Sequence, residues 1–102
     1  MKLAHNVFFT LKDNSPEAVA ALVAACHKYL TVQPGVDSFA CGTVCKELDR
    51  EVNLLDWEVG IHMIFADKAA HDAYQVDATH NVFIAEQKAN WSAVRVFDSL
   101  VK

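Results

Sequence analysis

His80, Tyr74 and His5 are the side chains through which this sequence could carry out acid–base chemistry. His80 precedes Phe83 and Ile84 by three and four residues, in a helical pattern that also brings Gln87 and Trp91 to the same side, so its imidazole is expected to face the sheet rather than water. A buried imidazole titrating near neutrality can act as a base. With a donor such as the Tyr74 phenol polarising a carbonyl, His80 would take a proton from the carbon α to that carbonyl and promote aldol-type ring closure. His5 alternates with Val7 and Phe9 and so stands on the helix-facing side of a strand, at its mouth, where it would orient His80 or a ligand. Each residue has a quieter competing role. His80 would be a core histidine bonded to backbone, His5 a structural hydrogen bond, and Tyr74 an aromatic plug.

Other chemistries find little footing. His62, His71 and His80 are nine residues apart, a spacing that does not converge ligands, and no metal site is expected. Three glycines leave no phosphate-cradling loop, and no Ser or Cys lies in a nucleophile motif, so no cofactor is expected either. Cys26, Cys41 and Cys45 are odd in number and lack Cys-x-x-Cys spacing, which fits small buried hydrophobes in a reducing compartment. Arg95 is expected to form an interface ion pair near Asp98 and Glu58, and Asp49-Arg50-Glu51 to be a solvated loop. A net charge of −4 without a Lys/Arg cluster argues against a nucleic-acid partner. No apolar stretch approaches the roughly 18 residues of a membrane span and no signal-like segment opens the chain, so a cytoplasmic protein is expected.

The elements that must position these side chains follow from periodicity. Leu3 to Leu11 alternates as a strand covered on both faces. Asn14 or Ser15 caps a helix with Pro16 in its first turn, running to about Leu30 with Val19, Leu22, Val23, Cys26 and Leu30 as its buried stripe. After Gln33-Pro34-Gly35, Val36 to Glu47 reads as a second strand with a bulge near Gly42, and Leu48 to Leu55 as a polar connection. Asp56 to Ala66 is the clearest strand, with Trp57, Val59, Ile61, Met63 and Phe65 on one face and Glu58, Gly60, His62 and Ile64 on the other. Asp67 caps a helix through Tyr74, a break falls near Asp77-Ala78, and a second helical stretch runs to about Asn90. Ala93 to Val101 is the last strand.

The order β-α-β-β-α-β is that of a ferredoxin-like α+β fold: an antiparallel four-stranded sheet with helices on one face, in one domain over residues 1–102. At this length only about two-thirds of the unfolded surface can be buried within one chain. A composition 53% hydrophobic then leaves apolar surface over, and the face carrying Phe8 and Ile64 has no element left to cover it. Two sheets packed about a two-fold axis would cover it.

The chain resembles the stress-responsive A/B-barrel domain family, Dabb, of the dimeric α/β-barrel superfamily. The resemblance rests on His5-Asn6-Val7-Phe8-Phe9, Pro34-Gly35-Val36, His62-Met63-Ile64-Phe65-Ala66-Asp67-Lys68, Ala70-His71-Asp72-Ala73-Tyr74-Gln75-Val76 with His80, and Val94-Arg95-Val96-Phe97-Asp98-Ser99. It covers essentially the whole chain and implies a homodimer. It further implies that His5, Tyr74 and His80 match the first-strand His, helix Tyr and catalytic His of a polyketide cyclase in this family. That cyclase's further pocket His falls at Val59, and its aromatic on the first helix near His27.

Three functions remain open. The first is a homodimer binding an apolar or aromatic small molecule in a pocket between helices and sheet, lined by Val7, Phe9, Val59, Ile61 and Phe83. The second is a cofactor-independent cyclase, isomerase or lyase with His80 as base, Tyr74 as donor and His5 in support. The third is a structural role in stress tolerance in which the dimer itself matters.

Overall fold

A computed structural model of the chain describes residues 1–31 and 33–102. Strand β1 (Leu3–Leu11) buries Leu3, His5, Val7, Phe9 and Leu11 on one face and half-buries Ala4, Asn6, Phe8 and Thr10 on the other, as a period of two requires. Helix α1 (Pro16–Leu30) starts where Ser15 accepts from the Ala18 N–H, with proline in its first turn, and buries Leu22, Ala25, Cys26 and Leu30 at helical spacing. Strands β2 (Val36–Thr43) and β3 (Val59–Phe65) follow. Two short helices come next, α2 (Lys68–Gln75) capped by Asp67 and α3 (Ala78–Gln87) capped by Asp77. A 3-10 turn at Lys88–Asn90 leads into β4 (Trp91–Leu100).

The four strands form one antiparallel sheet in the order β2-β3-β1-β4. This is the ferredoxin-like arrangement, with both helical segments on one face. The core lies between that face and the helices, where Leu22, Cys26 and Leu30 of α1 meet Val59, Ile61, Met63 and Phe65 of β3.

Several boundaries differ from those the sequence suggests, each for a local reason. Strand β2 ends at Thr43 rather than Glu47, and its irregularity lies between Val36 and Ser38; Gly42 pairs with Gly60 in regular register. Trp57 is not on the Val59 face. Its ring packs edge-on against Phe8, 4.9 Å between centroids, on the opposite side of the sheet. Alternation breaks at Glu58, whose N–H donates to the Phe9 carbonyl while its carboxylate accepts from the Leu11 N–H, so β3 starts only at Val59. Strand β4 begins two residues early, at Trp91, because the ladder with β1 shifts opposite Thr10 and Leu11. Of the cysteines only Cys26 is buried; Cys41 is half-buried and Cys45, beyond the end of β2, is exposed. Arg95 pairs with Asp56 at 3.0 Å, since Asp98 points to the other face of β4.

That other side of the sheet, away from the helices, carries a connected set of rings. Phe8 meets Trp57, His62 and Phe97, and Phe97 is 58% exposed. Among the described residues no element covers this face, and no helix is long and apolar enough to cross a membrane.

The turn into β2 depends on Gly35, which has φ +82° and whose added Cβ would lie 2.6 Å from the Ala70 Cβ on α2. Gly35→Ala is therefore expected to destabilise the protein by about 2–4 kcal/mol, from left-handed backbone strain plus a displaced α2. A urea unfolding curve checks it; a midpoint within error of the parent would contradict this account of the turn.

Candidate functional site

The β1–β4 register puts His5 directly opposite Asp98, and the His5 Nδ1–H donates to Asp98 Oδ1 at 2.5 Å. The His5 side chain is buried while Asp98 reaches solvent, so a charged acceptor holds one end of an otherwise enclosed ring. His71 and Tyr74 are three residues apart on α2 and share the side facing His5, with ring centroids 4.9 and 6.0 Å from it. Tyr74 in turn meets His80 of α3 edge-on at 4.5 Å. The break between α2 and α3 makes this contact possible. Asp77 caps α3 through the Thr79 N–H and also accepts from the Gln33 side-chain amide at 3.0 Å, fixing the direction in which His80 enters the core.

The electrostatics suit proton chemistry. Burial lowers the His80 pKa below the usual histidine value, and the proximity of His5 and His71 adds to the effect against an opposing pull from Asp77. The ring is thus held neutral near pH 7, with a lone pair available. Burial pushes the Tyr74 phenol up, keeping it a proton donor. Cys26 is held as a thiol by its contact with the Cys41 sulfur and by burial, so it is not a nucleophile. Among the described residues two buried side-chain polar atoms, His80 Nδ1 and Trp91 Nε1, have no hydrogen-bond partner.

His80 and Trp91 both line one cavity of about 160 Å³ between the sheet and α2–α3. His5 and Tyr74 complete its polar wall; Val7, Phe9, Ile61 and Phe83 supply its apolar one. Val59 is not in the lining and belongs to the solid core beneath α1. The open side is closed in part by Val94 and Val96 of β4, which sequence reasoning left out although their alternation with Asp98 gave the signal. A wider groove of about 670 Å³ along Lys12, Lys88 and Val94 offers lysines as its titratable groups and no acid–base pair. His62 lies on the far face, bonded to the Asn6 side chain at 2.8 Å, and His27 packs on Phe39 at the surface.

Comparison with known proteins agrees with this architecture. Residues 3–101 match the family described as Stress responsive A/B Barrel Domain, Dabb. A Dabb family protein with a ferredoxin-like fold from Mesorhizobium loti superposes with a TM-score of 0.82 at 23% identity, covering 99% of this chain and 97% of its own. A dimeric ferredoxin-like protein of unknown function from Thermobifida fusca gives 0.80 at 17% identity, covering 99% and 92%. The hydroxynitrile lyase of Passiflora edulis gives 0.80 at 14% identity, covering 99% and 94%. At these identities the likeness is one of fold. No curated protein sequence matches the chain.

The lowered His80 pKa has a consequence for stability. In the folded chain the ring binds a proton less readily than in the unfolded one, so stability falls as the pH drops through the ordinary histidine value of 6.5, and the loss is complete below the lowered folded value. Asp13, Asp72 and Asp77, held below 3.8, act only further down. Chemical denaturation between pH 7.5 and about 5 should show this decline, and His80→Gln should flatten it; an unchanged slope in the variant would place the effect elsewhere.

Proposed function

We propose that this chain, which belongs to the stress responsive A/B barrel (Dabb) family, pairs with a second copy through the outer face of its sheet and binds a small apolar or aromatic molecule in the cavity beside His80. The observation that carries the binding reading is an apolar cavity lined by His80 and Trp91, two residues whose Nδ1 and Nε1 atoms, respectively, are buried without a hydrogen-bond partner among the described residues. Leaving a buried donor or acceptor unpaired costs about 1–3 kcal/mol, and a ligand oxygen offers the acceptor that an indole N–H requires. The volume limits the ligand. A cavity of about 160 Å³ is close to the roughly 150 Å³ that admits benzene and below the roughly 300 Å³ at which drug-sized pockets begin. One ring with a carbonyl or hydroxyl fits; a long polyketide chain within one protomer does not. The ring cluster of Phe8, Trp57 and Phe97 supports pairing through the outer face, as does the dimeric state of the Thermobifida relative. The three unbridged cysteines suit a reducing cytoplasm.

A second reading, a cofactor-independent lyase, isomerase or cyclase, is favoured by the contact of a neutral His80 with a protonated Tyr74. His80 would take the proton α to a carbonyl and Tyr74 would donate to the enolate oxygen, leaving the carbanion's electron pair free to attack a second carbonyl or to be reprotonated. His5, tethered to Asp98, would act as a positioning residue. The Passiflora neighbour, a hydroxynitrile lyase, is consistent with lyase chemistry on this fold.

Fluorescence tests the binding reading. In a Trp57→Phe background, Trp91 is the one tryptophan and lines the cavity, and benzaldehyde should quench it saturably, with Val96→Phe abolishing the effect by filling the space. Absence of saturation in the parent would overturn the reading. For the enzyme reading, acetophenone in D2O should exchange its methyl protons faster in the presence of the protein, and His80→Gln should remove the acceleration while the fold is kept. Exchange at the buffer rate would set this chemistry aside.

A further inference from the structure

The acid–base reading uses His5 and leaves His71 unemployed, although the two rings are 4.9 Å apart and Asp98 stands beside them. One nitrogen of each imidazole and one Asp98 carboxylate oxygen all lie within 4.8 Å of one another. We propose that His5, His71 and Asp98 form a binding site for one divalent transition-metal ion at the rim of the cavity.

Three elements converge to build the group. The β1–β4 ladder sets His5 opposite Asp98, so two of the three donors are placed by strand register rather than by flexible loops. The third comes from α2, one turn before Tyr74. Local sequence spacing could not reveal such a site, because histidines 5 and 71 and aspartate 98 are remote in the chain and meet only through the sheet.

The donor set decides the class of ion. Two imidazoles and one carboxylate suit Zn2+, Co2+, Ni2+ or Fe2+, whereas Mg2+ and Ca2+ prefer oxygen throughout. Three protein ligands also leave coordination positions for water or a ligand oxygen, as in reactive rather than structural sites.

Access and adjustment are both available. The side chains of His5 and His71 are 5% and 14% exposed while that of Asp98 is 41% exposed, so an ion enters from the Asp98 side against two sheltered nitrogens. Metal–ligand bonds of roughly 2.0–2.2 Å require donors about 3 Å apart, so the widest separation in the group must contract by on the order of 1.5 Å while the His5–Asp98 pair opens slightly. Asp98 already stands 2.5 Å from His5 Nδ1, and the ion would take the place of the proton between them, which passes to His5 Nε2 or to water. His71 Nδ1 contacts Asp72 at 3.2 Å, itself engaged by Lys68, and its Nε2 stands 3.4 Å from the Gln75 amide; both partners are exposed, and the one on the ligating nitrogen would turn away. The site stands independently of whether the cavity takes an organic ligand.

Cobalt titration of the metal-free protein tests the assignment directly. Co2+ should bind at one equivalent per chain with visible ligand-field absorption, and His71→Ala and Asp98→Asn should each weaken it by at least about tenfold, the loss that even an outer-shell partner brings. His27→Ala, at an exposed ring outside the group, should leave it unchanged. Imidazole NMR of the unaltered protein gives a readout that needs no variant: Zn2+ at one equivalent should move the His5 and His71 ring signals and spare those of His27 and His62. No stoichiometric binding, or binding that moves His27 or His62 instead, would overturn the proposal.

Discussion

Strand β1 is the part on which the site depends, because it pairs with β3 on one side and β4 on the other and so sets the facing of all three strands. Side chains on a strand alternate, and a slip of one residue would turn His5, Val7 and Phe9 to the outside and bring Asn6 and Phe8 in. The register that prevents this is written in the inner-face neighbours, where Val7 meets Ile61 and Val96 while His5 meets Met63 and Asp98. One polar step in this apolar ladder, the His5–Asp98 bond, lies where the sheet rim reaches solvent.

The helices then cover less sheet than the strands provide. Val7 and Phe9 on β1 are 5% and 2% exposed, whereas Val94 and Val96, their partners on β4, are 42% and 49% exposed on the same face. The edge of that coverage, where α2 breaks and α3 begins, is where the cavity and the Tyr74–His80 contact lie. On the outer face no helix or strand among the described residues covers the sheet, and the rings of Phe8, Trp57 and Phe97 favour a second sheet as its cover. The cavity and the uncovered outer face are thus two results of one shortage of cover.

Much of this is legible in sequence because period-2 and period-3.6 patterns are strong here. Leu3–Leu11 and Pro16–Leu30 coincide with β1 and α1, helped by the Ser15 cap and Pro16, and the α2–α3 break follows from Asp77 as a capping residue. Periodicity fails where a side chain replaces a backbone partner. Glu58 takes the Leu11 N–H, so Trp57 leaves the Val59 face, a switch that residue types alone do not encode. Trp91 reads in sequence as a continuation of the helical stripe of His80, whereas the ladder shift opposite Leu11 makes it the first residue of β4, its ring still turned inward to Phe9 and Phe83. Tyr74 and His80 could be placed on helices but their contact could not, because it depends on the angle between two short helices. The grouping of His5 with His71 and Asp98 was equally beyond local spacing, since strand pairing creates it.

Diffraction from crystals grown with benzaldehyde would test the account most directly, since it reads the pairing surface and the cavity together. The account predicts two chains packed through the Phe8–Phe97 faces, with one ring seated between Val7, Phe83 and Val96 and its oxygen within hydrogen-bond distance of His80, Tyr74 or Trp91. A monomer, or a dimer whose cavity is closed by its own side chains with the aldehyde absent, would contradict it.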